Sequence, residues 1–387
     1  MSAAWSTPPA AAFRTAHVAG QGWAQAAKAA VDALETPGPL PGANLGFLYV
    51  TDHLAGDLGS ILAFLRSRTG IADWVGSVGI GIMAAGADNP RAEHFDQPAL
   101  AVMIGAFPED AFRVFAPVVD GIGGFRQSHG AWIDGHHPLL GLVHADPRAP
   151  RAMDMLTGLA EASGAFLVGG LTSSRTAFAQ VAERVVEGGA SGVLFAGSVA
   201  VATGISQGCS PIGPVRTVTA AEDNVVAEID GRPALDVLKE DMGELLSRDL
   251  KRALRYIHAA LPVAGSDTGD YLVRNLVGID PQRGLIGIGA EVATGDPILF
   301  TRRDHDAAEA DMKRMLGGLA KRAGGAIKGG VYVSCIARGP NLFGAEAQEL
   351  GLIAETLGEF PLVGFFANGE ICRDRLYGYT GVLTLFL

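Results

Sequence analysis

"YVSCIARGPNLFGAEAQELGLIAETLGEFPLVG", residues 332–364, is the stretch on which the fold turns. The β-branched and aromatic run Val331-Tyr332-Val333 suits a pleated strand. It feeds a polar loop with Cys335, Arg338 and Gly339, then apolar residues at helical spacing over Ala345–Leu357, then a second apolar run holding Val363-Gly364. The segment therefore predicts strand, loop, helix, strand. Polar groups gathered at the end of a strand commonly face a ligand.

The same order recurs twice upstream. Tyr49-Val50-Thr51-Asp52 leads through a polar loop and an amphipathic stretch to Val75-Gly76, and Leu142-Val143-His144-Ala145 leads likewise to Val168-Gly169. The separations are 26 positions from Tyr49 to Val75, 26 from Leu142 to Val168, and 31 from Tyr332 to Val363. In this register Arg148 falls opposite Arg338, and Gly56 opposite Gly339. A unit used three times accounts for the pattern. Its loops should lie at comparable sheet edges, which makes Cys335–Gly339 a site position by geometry.

Working outward, further strands are predicted at Leu45–Thr51, Leu100–Phe107, Leu139–His144, Ala165–Leu171, Val193–Thr203, Gly284–Val292 and Gly381–Phe386. Helices are predicted at Gly22–Leu34, Leu58–Arg66, Arg148–Ala162, Ala234–Leu261 and Ala307–Arg322. The fold class is α/β, or mixed α+β: two halves with helix-flanked mixed sheets built from the repeated unit. Pro37-Gly-Pro-Leu-Pro41 and Asp230-Gly-Arg-Pro233 mark boundaries. The division expected is an N-terminal helical extension over 1–37, one domain over 38–230 and another over 231–387.

Composition narrows the function. Of 387 residues, 48% are apolar and 18% charged, which is a folded globular chain. The net charge, 30 − 41 = −11, argues against nucleic acid and anionic membranes, both of which need a basic face. Three scattered cysteines, Cys209, Cys335 and Cys372, draw neither a disulfide framework nor a metal motif, so a reducing cytoplasm is expected. The uncharged stretch Gly188–Val215 is too broken by Gly, Ser, Thr and Pro for a membrane span and reads as buried strands. The Ala-rich start lacks the basic and apolar order of a signal peptide.

Two motifs fail on context. Gly204-Ile-Ser206-Gln-Gly208 has the spacing of a nucleophile elbow, but Cys209-Ser-Pro-Ile-Gly-Pro214 cannot continue as the required helix. Gly79-Ile-Gly81-Ile-Met-Ala84 approximates a dinucleotide fingerprint, yet Asn89-Pro90 soon interrupts it.

The run from Gly329 to Ile371, with Cys-x-x-Arg-Gly and Pro-Leu-x-Gly-Phe-x-x-x-Gly-Glu-Ile, followed by "YGYTGVLTLFL", resembles the C-terminal half of FIST domain proteins. "WVGSVGIGI", "FLVGGLTSS" and "QGCSPIG" with the following Gly-Arg-Pro-Ala-Leu resemble the N-terminal half. The likeness runs from about Gly38 to the end; where the family often has Gly-Glu, this chain has Gly81-Ile82. The resemblance implies a sensory, ligand-binding module found beside signalling domains. It implies a small ligand, with amino acids suggested, and in some members haem for nitric oxide sensing. With no output domain after Leu387, it implies signalling through a separate partner such as a histidine kinase or diguanylate cyclase.

The candidate ligand residues follow from this loop. Arg338 can grip a carboxylate through two parallel hydrogen bonds, or pair internally with Glu346, Glu349 or Glu370. Cys335 is either a small buried apolar residue or, beside a guanidinium, a reactive thiol. Asn368, Gly369 and Glu370 follow the last Val-Gly strand; Glu370 can accept an ammonium, or pair with Arg373 or Arg375. Gly339 permits close backbone approach, and Gln207 lines a pocket if the halves face each other. Two alternatives stay open: an enzyme with a Cys335 nucleophile acting on a small anion, and a haem-binding sensor using His129, His136, His137 or His144.

Overall fold

The structure, a computed structural model, describes residues 12–387 apart from 87–88, 120, 248–249, 251–253, 264–269, 326 and 345–346. The chain divides into two units: residues 1–206, 312–376 and 380–387 form one, and 207–311 with 377–379 the other.

The first unit is one connectivity pattern written three times. The first copy runs β1 (Ala12–Ala19), α1 (Trp23–Leu34), β2 (Leu45–Thr51), α2 (Leu58–Thr69), β3 (Asp73–Gly79), β4 (Gly81–Gly86), β5 (Asn89–Phe95) and β6 (Ala99–Ala106). The second runs β7 (Phe112–Val118), α3 (Gly123–His136), β8 (Leu140–Ala145), α4 (Ala152–Ser163), β9 (Phe166–Leu171), β10 (Gln180–Ala182), β11 (Arg184–Val186) and β12 (Ala190–Phe195). The third begins with β13 (Val201–Gln207) and resumes with the helix His305–Ala323, which belongs to the first unit from Met312 on. The strands of that interval are β14 (Cys209–Pro211), β15 (Arg216–Glu222), β16 (Val225–Ile229), β17 (Arg232–Pro233), β18 (Ile257–Pro262), β19 (Tyr271–Asp280), β20 (Leu285–Ile288) and β21 (Pro297–Arg303). The third copy then has β22 (Gly329–Cys335), the helix Gln348–Leu357, β23 (Leu362–Ala367), β24 (Glu370–Cys372), β25 (Arg375–Tyr377) and β26 (Thr380–Phe386).

Each copy pairs its two crossover strands in parallel, β2 with β3, β8 with β9 and β22 with β23. Each then lays its last strand antiparallel on the first of those two. The intervening hairpins are exchanged in a ring. β4–β5 extend the third copy's sheet beside β23, β24–β25 the second's beside β9, and β10–β11 the first's beside β3. Sheet orders are thus β1-β6-β2-β3-β10-β11, β7-β12-β8-β9-β24-β25 and β13-β26-β22-β23-β4-β5.

The Val-Gly pairs that revealed the repeat have one physical reason. Gly76, Gly169 and Gly364 sit across from Leu48, Val143 and Tyr332 in the parallel ladders. A Cβ at those glycines would stand 1.7, 1.9 and 1.7 Å from the opposing carbonyl oxygens, so no side chain fits. Three phenylalanines, one from the closing end of each copy, knit the copies together. Phe107, Phe195 and Phe386 pack with ring centroids 5.4, 5.5 and 5.2 Å apart. A second buried cluster joins Tyr49 of β2, His144 of β8 and Phe365 of β23, with the Tyr49 hydroxyl 3.1 Å from His144 Nε2.

In the second unit β21, β15, β16, β20, β19 and β18 pair successively, and β18 pairs back onto β21, closing a six-stranded antiparallel barrel with β14 added on β21. Alternate residues such as Val218, Val226, Ile286, Ile298 and Phe300 fill one core with Leu235, Val237 and Leu238 of α5 (Ala234–Ser247).

Several sequence expectations are corrected. The helix expected over Ala234–Leu261 ends by Ser247 with Gly243 at φ +74°, and Ile257–Pro262 is a barrel strand; 248–249 and 251–253 lie outside the described residues. Closing the barrel outweighs a local helical pattern there. Val193–Thr203 is two strands with a turn between, Gly284–Val292 shortens to Leu285–Ile288, and Arg148–Ala162 becomes helical only from Ala152. The helix expected over Ala345–Leu357 is formed from Gln348, its first residues lying outside the described ones. The N-terminal segment contributes a strand, Ala12–Ala19, as well as a helix. Among the described residues no helix is long and apolar enough to cross a membrane.

Candidate functional site

β22 delivers Tyr332, Ser334 and Cys335 to its C-terminal end, where a 3-10 turn at Gly339–Asn341 follows. Arg338 enters that turn with its backbone N–H on the Cys335 carbonyl at 2.8 Å, and its side chain folds inward to 0% exposure. Glu349, in the first turn of the helix Gln348–Leu357, meets it there. Arg338 Nη2 and Nε lie 2.8 and 2.9 Å from Glu349 Oε1. The same carboxylate accepts from the Tyr332 hydroxyl at 2.6 Å, Ser334 Oγ at 3.0 Å and the Gly339 N–H at 2.9 Å. Arg338 also donates to the Ser206 carbonyl at 3.4 Å and lies over the Phe343 ring at 5.0 Å. Of the internal partners considered for Arg338, Glu349 is the one engaged; Glu346 lies outside the described residues.

The electrostatics of this pair are one-sided. Burial alone disfavours the guanidinium charge, yet the Glu349 carboxylate overrides it and holds Arg338 above its ordinary range. Burial and the same carboxylate push the Tyr332 phenol well up, so it remains a donor. Gly339, at φ +49°, turns the backbone where a Cβ would strike the Phe366 ring at 2.6 Å.

Glu370, at the start of β24, lies in the same neighbourhood. Its side chain is fully buried, and Oε2 accepts from the Thr380 N–H at 3.1 Å and Thr380 Oγ1 at 2.8 Å. Burial lifts its carboxyl to about 8, against the opposing pull of Thr380, of the Arg338 charge and of a hydrogen bond from the Cys335 thiol. At neutral pH this acid is mostly protonated. Its Oε1 has no conventional hydrogen-bond partner among the described residues, the thiol being only a weak donor. The structure therefore brings Arg338, Cys335 and Glu370 together, with Arg338 and Glu370 both sealed from solvent and Cys335 7% exposed.

A second raised acid was not singled out by sequence. Glu93 on β5 is pushed to about 8 by burial and then by the nearby Glu349 charge, and its Oε1 is also unpartnered among the described residues. Nothing local in "NPRAEHF" marks it; only the exchange of the β4–β5 hairpin puts it beside the third copy.

The other candidates are placed as follows. Asn368 is exposed, its N–H on the Leu171 carbonyl at 3.0 Å, and Gly369 is buried, its carbonyl accepting from the Leu171 N–H. Gln207 belongs to the second unit, where its N–H meets Asp311 and its amide donates to the Tyr271 carbonyl at 3.2 Å. His129 and His136 sit on α3 and His137 ends it, while His144 is fully buried. His136 is held by the Trp132 carbonyl and Asp110. His144 is enclosed by Tyr49 and Phe365, and burial drops it to about 3. Among the described residues no group of three or more His, Cys, Asp or Glu side chains is placed to hold a metal ion.

The repeat supplies an internal comparison. Six residues past Gly76, Gly169 and Gly364 stand Ile82, Arg175 and Glu370. At the strand ends stand Asp52, Asp146 and Cys335. Arg175 neutralises Asp52 at 2.7 Å and Arg148 neutralises Asp146 at 2.7 Å, both with half-exposed guanidinium groups. Those carboxylates, though desolvated by burial, are held below the usual range by their arginines. Among the described residues, the third copy alone combines a sealed guanidinium with a neutral acid that has a spare oxygen, Glu93 of the first copy being the other raised acid.

Comparison with known proteins gives a consistent result. The FIST N domain matches residues 44–232 and the FIST C domain matches residues 234–373. An uncharacterized protein of Mycobacterium tuberculosis, MT0656, is 33% identical over 350 residues, spanning 84% of this chain and 87% of that protein. An uncharacterized protein of Mycobacterium bovis, Mb0898c, is 35% identical over 192 residues, 47% of this chain and 50% of that protein.

Proposed function

The chain belongs to the FIST family, a family of sensory and signal-transduction modules, and from that premise we propose that it senses a small amino-acid-like molecule at the Arg338–Glu370 locus. The observation that carries this reading is the spare, buried Oε1 of Glu370 beside a guanidinium and a thiol. A ligand ammonium placed on that oxygen ionises an acid that is neutral in the free protein. A ligand carboxylate shares Arg338 with Glu349, while Cys335 and the backbone at Gly339, Asn368 and Gly369 shape the space. Because Arg338 and Glu370 are sealed, entry requires this part of the third copy to open and reclose around the ligand. A ligand that stabilises one arrangement over the other shifts the population, and a separate signalling protein, such as a histidine kinase or diguanylate cyclase, reads the shift.

Proton release tests the reading. A panel of amino acids is titrated calorimetrically near pH 7 in two buffers of different ionisation heat. A binding amino acid should release close to one proton per site, and Glu370→Gln should abolish that release and weaken binding. Binding with no buffer dependence, or unchanged by Glu370→Gln, overturns it.

A further inference from the structure

The first unit has a separate cleft of about 300 Å³ between the β4–β5 hairpin and the helix Gln348–Leu357. Leu350 and Ile353 of that helix, with Phe360 and Leu362 beyond it, form an apolar wall. Two charges line it as well: Arg91 on β5 and Glu359, both exposed. Arg91 has no ion-pair partner among the described residues, and it stays unpaired although Glu359 lines the same cleft. The volume lies at the small end of the range for ligand sites, and an apolar wall with a few polar groups is their usual composition.

We propose that this cleft is a small-molecule site for an apolar monocarboxylate, its body against Leu350, Ile353, Phe360 and Leu362 and its carboxylate on Arg91. The guanidinium can meet a carboxylate through two parallel hydrogen bonds, and the apolar wall gains from covering a ring or branched chain. Glu359 disfavours a second negative charge and offers a place for an α-ammonium where the ligand carries one. The proposal does not depend on the buried locus. The helix is common to both, however, since Glu349 binds Arg338 while the next residue, Leu350, lines the cleft.

Phenylacetate, phenylalanine and neutral 2-phenylethanol serve as probes for calorimetric titration of the full chain. Phenylacetate should bind at sub-millimolar concentration, with 2-phenylethanol at least tenfold weaker. Arg91→Gln should weaken phenylacetate about tenfold, and Ala354→Leu, which narrows the cleft, should abolish binding; unchanged thermal midpoints show that both variants fold. Glu370→Gln should leave phenylacetate untouched. Tighter binding of phenylalanine, lost in Glu359→Gln, identifies the ligand as an amino acid, and equal binding identifies a simple acid; either supports the site. Equal affinity for the acid and the alcohol overturns the proposal, as does insensitivity to Arg91→Gln or no binding of phenylacetate or phenylalanine at about 10 mM. Loss of phenylacetate in Glu370→Gln alone moves it to the buried locus and overturns the cleft.

Discussion

Glu349→Ala tests the physical core of the candidate site. It removes the acceptor of two Arg338 contacts at 2.8 and 2.9 Å, of the Tyr332 hydroxyl, of Ser334 Oγ and of the Gly339 N–H. Breaking a buried ion pair from one side typically costs about 3–5 kcal/mol, because the remaining charge is left without compensation. Each buried neutral donor left without an acceptor adds about 1 kcal/mol, and neighbouring losses are less than additive. We expect a total of about 4–6 kcal/mol, a large share of the roughly 5–15 kcal/mol that stabilises a typical domain. Urea unfolding followed by tryptophan fluorescence measures it, with the barrel unit's transition separated by circular dichroism. The pairing account also makes a second demand. Replacing both partners, Glu349→Leu with Arg338→Met, should recover most of the loss, since apolar substitutes remove the charge as well as its partner. A single variant that loses less than about 1 kcal/mol, or a double variant no better than the single, refutes the reasoning.

Three further outcomes follow from the same geometry. Glu370 is raised in the folded state, so its contribution is greatest below its unfolded value and is lost as pH rises through about 8. Glu370→Gln should therefore gain on the wild type by up to about 1.4 kcal/mol per pH unit between roughly pH 5 and 8, read from urea midpoints. A difference that is flat or falls with pH contradicts the assignment. Gly364→Ala would put a Cβ 1.7 Å from the Tyr332 carbonyl oxygen and should lose at least about 3 kcal/mol, whereas Gly351→Ala, with open space at its Cβ, should be neutral or gain up to about 1 kcal/mol by the same assay. Phe195→Ala opens the three-ring cluster and should lose about 3–5 kcal/mol in thermal or chemical unfolding.

The parallel crossover units were legible because their signal is local. The opposing carbonyls at Leu48, Val143 and Tyr332 leave room only for glycine, so Val-Gly recurs at a readable spacing. The register read from it slips by a residue or two, since Val75 pairs with Phe47 and Val363 with Val331 while Val168 does pair with Leu142. Loop lengths differ between copies, and period-2 strands look alike after such slips. The hairpin exchange was invisible because nothing in β4–β5 records which sheet will receive them. Glu93 was missed for that reason, as was the strand at Ile257–Pro262, whose identity depends on closing a barrel with β21. Arg338, Cys335 and Glu370 were legible as strand-end polar residues. That Glu349 would hold the guanidinium was open among several acids until the helix set its face.

Native mass spectrometry of the intact chain, purified gently from its host, tests the central claim most directly. Occupancy of the Arg338–Glu370 locus predicts an added small-molecule mass on the wild-type protein that disappears in Glu370→Gln. A bare mass for the wild type, or the same adduct on both proteins, contradicts it.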